Sequence, residues 1–225
     1  MRRTVMLPIA LAAALAAGCD RTDRRETTTG AVGTSGEADR SQVNSSDRDF
    51  VKDLSIANVA EIELGKLAAE HAASPQVKKF AQMMIDDHTK ARDSLSAVAS
   101  KHNIMTTALL DDKHRDLKDK LAALKGADFD REYMDAMVDG HKDVADKLES
   151  RVDKEKLADW KTQMKDALTA KREPAAAVTV TPERSDNPVT MDLNQWAADA
   201  YPVVARHLDS ATTLNDTIKK RRSTE

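Results

Sequence analysis

The apolar positions of this chain fall into long stripes at helical spacing. Between about Asp47 and Ala73, Leu54, Ala57, Leu64, Leu67 and Ala68 recur every three or four residues, which predicts a first long helix with one buried face. Ser74-Pro75 supplies an N-cap and a first-turn proline, so a second helix starts at once. It runs to about Asn103, with Val77, Phe80, Ala81, Met84, Ala91, Leu95 and Val98 facing inward. A polar break at Thr106-Thr107 leads into a short connector helix, about Leu110 to Leu124, ended by Gly126. Asp128 is placed to cap a third long helix through Phe129, Met134, Met137, Val144 and Leu148, continuing with a bend through Leu157, Trp160, Met164 and Leu168. Prolines between Pro174 and Pro188 predict a mobile loop over 174–190. A last helix begins near Met191, carries Leu193, Trp196, Ala200, Val203, Ala211 and Leu214, and is expected to kink at Pro202. Four long helices and a connector predict an all-α four-helix bundle over residues 47–222.

The N-terminus reads differently. Arg2 and Arg3 precede an apolar run from Val5 to Ala17, too short for a permanent membrane span but suited to a signal peptide over residues 1–18. The run ends in Leu15-Ala16-Ala17-Gly18-Cys19, which resembles the lipobox, where a cysteine is acylated and becomes the mature N-terminus. The aliphatic residue stands one position early, and ordinary cleavage after Ala16 or Ala17 is the alternative. Asp20 after the cysteine resembles an inner-membrane retention signal of enteric bacteria. From Cys19 to Ser46 the chain is Thr, Ser, Gly, Asp and Arg with almost nothing to bury, a disordered tether that would hold the domain about 30 Å from its anchor. The expectation is a periplasmic domain bound by its lipid to the inner or outer membrane.

Composition narrows the function. Aromatics are 3% and charged residues 32% of the 225, which favours helices over sheets, and 35 basic residues against 38 acidic ones leave no net field to hold a nucleic acid. A single cysteine forms no internal disulfide, so the fold rests on packing.

A set of motifs in fixed order carries a resemblance: Phe50 to Leu67 with Glu61, Glu63 and Gly65; Phe80-Ala81 with Asp86-Asp87-His88; Phe129-Asp130 with Tyr133-Met134 and His141; and Tyr201-Pro202 with His207-Leu208. Together, over about Asp49 to Leu214, they resemble the bacterial domain-of-unknown-function family 4142, whose members are often labelled predicted outer-membrane or periplasmic proteins. The segment from about Asp153 to Pro188 is longer than that family's pattern. The resemblance implies a ferritin-like bundle and a place in the cell envelope, and no activity.

Each long helix has one polar residue in the middle of its apolar stripe: Glu61, His88, His141 and His207. Each lies three or four residues from apolar neighbours on the same face, and roughly 20 Å from the start of its helix, so all four are expected inside at one level. Three imidazoles and a carboxylate there suit a single zinc, copper or iron ion. A di-iron centre is disfavoured, because Ile85, Val138 and Val204 stand where its Glu-x-x-His pairs need glutamate. A metal-free Glu-His hydrogen-bond network, alone or with a water, would satisfy the same core in a structural or partner-binding module. Asp87 and Asp130 are candidate partners behind the histidines, with simple solvated charge as the alternative, and Tyr133 is within reach of the network. Gly65 and Gly140, inside helices, predict close approach of a neighbour. His71, His102 and His114 are expected to face solvent, and Met83, Met84, Met134 and Met137 to fill the core. Nothing else suggests an enzyme: no nucleophile triad, phosphate loop or close acid pair appears, and mid-bundle histidines have no evident entrance.

Overall fold

A computed structural model describes residues 42–170 and 179–222. The signal peptide, Cys19 and nearly all of the tether lie outside the described residues, as do residues 171–178. The described residues form six helices: α1 (Ser45–His71), α2 (Pro75–Lys101), α3 (Asp112–Ala122), α4 (Gly126–Glu149), α5 (Lys154–Thr169) and α6 (Pro188–Arg222). Among the described residues there are no strands, only two isolated β-bridges, Ala72 with Gly126 and Val152 with Pro182. No helix there is long and apolar enough to cross a membrane.

The long helices α1, α2, α4 and α6 form the bundle. α1 packs on α2 and α4 on α6, with α1 beside α4 and α2 beside α6. The ends of α1 and α6 meet where Thr190 donates to Asp47 (2.7 Å), and α2 ends there too, where Lys101 and His102 bond Asp192. α4 starts at the other end, where its Asp130 accepts from the amides of Ala73 and Ser74. So α1 and α6 run one way and α2 and α4 the other. The chain must therefore recross the bundle between α2 and α4. α3 makes that crossing over α1 and α4, tied by Lys118 to Glu63 (2.8 Å), and one long crossover is the ferritin-like connection.

Local chemistry explains most element ends. Asn44 caps α1 through the amide of Asp47 (2.7 Å), Ser74 caps α2 through Val77 with Pro75 in the first turn, and Asp111 caps α3 through His114. Three ends differ from expectation. Asp128 does not cap α4: the helix begins at Gly126, whose φ of +68° is open to glycine, and Lys125 precedes it with no side-chain bond. The third helix does not bend into α5 but stops at Glu149, and α5 starts anew where Asp153 caps the amide of Lys156. α6 begins at Pro188, inside the segment expected to be a mobile loop, and runs unbroken past Pro202. Residues 179–187 of that segment are held: Val180 is buried, Thr181 accepts from Asp153 at 2.8 Å, and Glu183 bonds Arg151 and Asn194.

The core has two apolar lobes. One, at the end where α1 and α6 begin, holds Phe50, Leu54, Leu95, Leu148, Trp160, Leu193 and Trp196; α5 covers it, with Trp160 edge-on to Tyr201. The other holds Leu64, Phe80, Met84, Phe129, Tyr133, Met134 and Met137, so these methionines are core filler as expected. On every long helix the residue where one lobe gives way to the other is polar: Glu61, His88, His141 and His207, all buried.

Candidate metal centre

This polar layer brings three of the four seam residues together. The rings of His88, His141 and His207 form a triangle with each pair of centroids 5.5 Å apart. One ring nitrogen from each lies within 4.8 Å of the other two. All three residues are at most 5% exposed.

The outward nitrogen of each ring is fixed by an acceptor. His88 Nδ1 donates to Asn58 Oδ1 at 2.9 Å, and the amide is oriented because Asn58 Nδ2 donates to the carbonyl of Leu54 at 2.8 Å. His141 Nδ1 donates to the carbonyl of Met137 at 2.8 Å, and His207 Nε2 to Asp87 Oδ2 at 3.1 Å. Each bond places the ring proton on the outward nitrogen, so the lone pairs sit on His88 Nε2, His141 Nε2 and His207 Nδ1. Those three atoms are buried and have no hydrogen-bond partner. Burial lowers all three imidazoles: His88 falls well below the usual range, helped by the other two rings, and His141 falls to about 4. His207 is lowered by burial and Arg206 against the opposing pull of Asp87. At neutral pH the centre is three neutral bases facing one another.

Glu61 does not join them. Its Oε1 lies 3.7 Å from His141 Nδ1, behind the ring and on the side already bonded to Met137, while its Oε2 has no partner. Burial raises its carboxyl to about 8. The phenol of Tyr133, also without a partner, is raised well above its ordinary value by burial and by the nearby Glu61. The Glu-His network is therefore absent from the protein groups alone. Asp87 is a histidine partner as expected; Asp130 is not, since its carboxylate caps the α1–α2 turn. Asn58 was missed by the pattern, though it lies four residues after Leu54 and three before Glu61 on the same face.

The glycines are close contacts. A Cβ on Gly65 would stand 2.9 Å from Ile85 and 3.0 Å from the Ala81 carbonyl, and one on Gly140 would stand 3.3 Å from Glu61 Oε1. The remaining histidines are half-buried and bonded rather than solvent-facing: His71 to the Leu124 carbonyl, His102 to Asp192 and His114 to Asp111. The layer also has an approach that the sequence did not show. A cavity of about 360 Å³ between α2 and α6 reaches His88 and His207.

The model of the family described as "Domain of unknown function (DUF4142)" matches residues 32–178. No curated protein and no solved structure matches the chain. The matched span carries Asn58, Glu61, Asp87, His88 and His141, whereas His207 stands on the helix after it.

Proposed function

This chain belongs to the DUF4142 family, whose description assigns no chemistry, and from its core we propose that it binds one transition-metal ion through His88, His141 and His207. The observation that carries the reading is the convergence of three lone pairs with no donor among them. A buried acceptor left unserved costs about 1–3 kcal/mol. A water at the centre has two hydrogens for three acceptors, and protonating a ring is opposed by burial. A cation satisfies all three at once. Neutral imidazole suits zinc, copper, nickel or ferrous iron, and the absence of carboxylate from the triangle argues against the harder calcium and magnesium. Ligand nitrogens around a tetrahedral ion stand about 3.4 Å apart at metal–nitrogen distances of about 2.0–2.1 Å, so ring rotation has to draw the triangle in. The outer bonds to Asn58, Met137 and Asp87 are the kind that hold ligating histidines in one tautomer. A metal-free structural module would need more than one water at this centre, since the protein offers no donor to these three atoms.

The test is elemental analysis after loading and dialysis: one equivalent of zinc, copper or cobalt in the wild type and none in His88→Ala. A wild type that retains no ion would refute the assignment. We place the protein in the cell envelope as a lipid-anchored domain, supported by Arg2-Arg3, the apolar run and Cys19. Cys19→Ser is expected to move it from the membrane to the soluble periplasmic fraction, and unchanged fractionation with unchanged mature mass would refute the anchor.

A further inference from the structure

The cavity between α2 and α6 exists because the facing stripes there are built from small residues. Ala57, Ala91 and Ala200 line it where larger side chains would fill the bundle, and Leu54, Val144 and Trp196 complete an apolar wall drawn from all four long helices. Its volume of about 360 Å³ lies within the range of small-molecule sites, and its inner end stops at the polar layer. The wall is firm: Trp196 Nε1 donates to Ser94 Oγ at 2.9 Å, and Ser94 in turn donates to the Ala91 carbonyl.

Four charged residues stand on the lining at its mouth, Asp87, Lys90, Asp199 and Arg206. Three are engaged. Lys90 pairs with Asp87 at 3.0 Å, Asp87 also holds His207, and Asp199 accepts from Gln195 at 2.9 Å. The guanidinium of Arg206 is exposed and is the one charge of this set with no partner among the described residues.

We propose that this cavity binds a medium-chain amphipathic anion, its alkyl chain between α2 and α6 and its carboxylate on Arg206. Arg206 offers a forked donor suited to a carboxylate, and Asp87 on the same rim is already committed to Lys90 and His207. His88 and His207 close its inner end, but the apolar wall and Arg206 are not metal ligands, so binding there can be read without metal.

The experiment is fluorescence titration of the purified chain carrying Trp160→Phe, which leaves Trp196 as reporter, in the presence of a chelator so that metal binding plays no part. Octanoate, decanoate and 1-decanol are the probes. Decanoate is expected to saturate the signal, octanoate to bind more weakly by about fourfold for each methylene removed, and decanol to bind about two- to fivefold more weakly than decanoate. The exposed substitution Arg206→Gln should erase the preference for carboxylate over alcohol. Ala200→Phe or Ala91→Phe, checked for helicity, should abolish binding by filling the space. No saturable response in the wild type, equal binding of decanol and decanoate, a carboxylate preference that survives in Arg206→Gln, or full binding by a folded filled variant would each overturn the proposal. Should both filled variants fail to fold, the wild-type series and Arg206→Gln still decide it.

Discussion

His207 and Asp87 stand 120 residues apart in the chain, yet His207 Nε2 donates to Asp87 Oδ2 at 3.1 Å, and that bond turns the other nitrogen of the ring toward His88 and His141. Removing the carboxylate frees the proton to occupy either nitrogen. Asp87→Ala is therefore expected to weaken zinc or copper binding about 10- to 100-fold while leaving one site per chain. Competition with a chelator of known affinity measures it. Affinity equal to wild type would mean that Asp87 does not position His207.

Metal should also stabilise the fold, because the three imidazoles converge only in the native state. An ion at 100 times its dissociation constant adds about 2.7 kcal/mol, which for a domain of this size raises the melting temperature by about 5–10 °C. Calorimetry should show that rise for the wild type and not for His88→Ala or His141→Ala. A variant that gains as much as the wild type would place the ion elsewhere.

The metal-free protein should have a stability optimum near neutral pH, with two flanks of different origin. His141 is lowered to about 4 from 6.5, so its contribution is complete above about 6.5 and is lost as pH falls toward 4, and His88 and His207 act in the same direction. Glu61 is raised to about 8 from 4.5, so its contribution is complete below about 4.5 and is lost as pH rises toward 8. Urea midpoints at pH 5, 6.5 and 8 read both. Glu61→Gln should flatten the alkaline flank and leave the acidic one, and an unchanged alkaline flank would show that Glu61 ionises freely.

Gly65 sits at a close approach of α1 to α2. Alanine there should gain about 1 kcal/mol in helix propensity, but its Cβ would meet Ile85 at 2.9 Å and the Ala81 backbone at 3.0 Å. Ile85 can rotate, whereas the carbonyl cannot move without shifting a helix. The net expectation for Gly65→Ala is a loss of about 1–3 kcal/mol, read from chemical denaturation. A variant as stable as the wild type would show that the two helices can move apart without cost.

How far the sequence was readable follows from which contacts it encodes. The three histidines could be placed because helical spacing fixes the face and distance along the helix fixes the level, and both survive small errors in the helix ends. Glu61 met both criteria and still fell behind His141, because side-chain direction within a layer depends on how each helix is rotated. Asp130 was misjudged for a related reason: its partners, the amides of Ala73 and Ser74, belong to a turn that only the folded bundle brings beside α4. The start of α5 left a local trace in the Asp153 cap, which the continuing apolar spacing concealed. The held segment around Val180 left none, since its bonds to Arg151, Asp153 and Asn194 cross the fold. The cavity was hidden because alanine on an apolar stripe reads as core whether or not a neighbour fills the space beside it.

The triangle of histidines also sets an order of events during folding. His88 and His141 precede His207 in the chain, and the helix bearing His207 lies after the family-matched span. Until that last helix docks there are two imidazoles, a weak and open pair; the third nitrogen and the burial of the other two arrive together. An ion bound at this centre would therefore close two long loops in one step, and would be held only once α6 has docked.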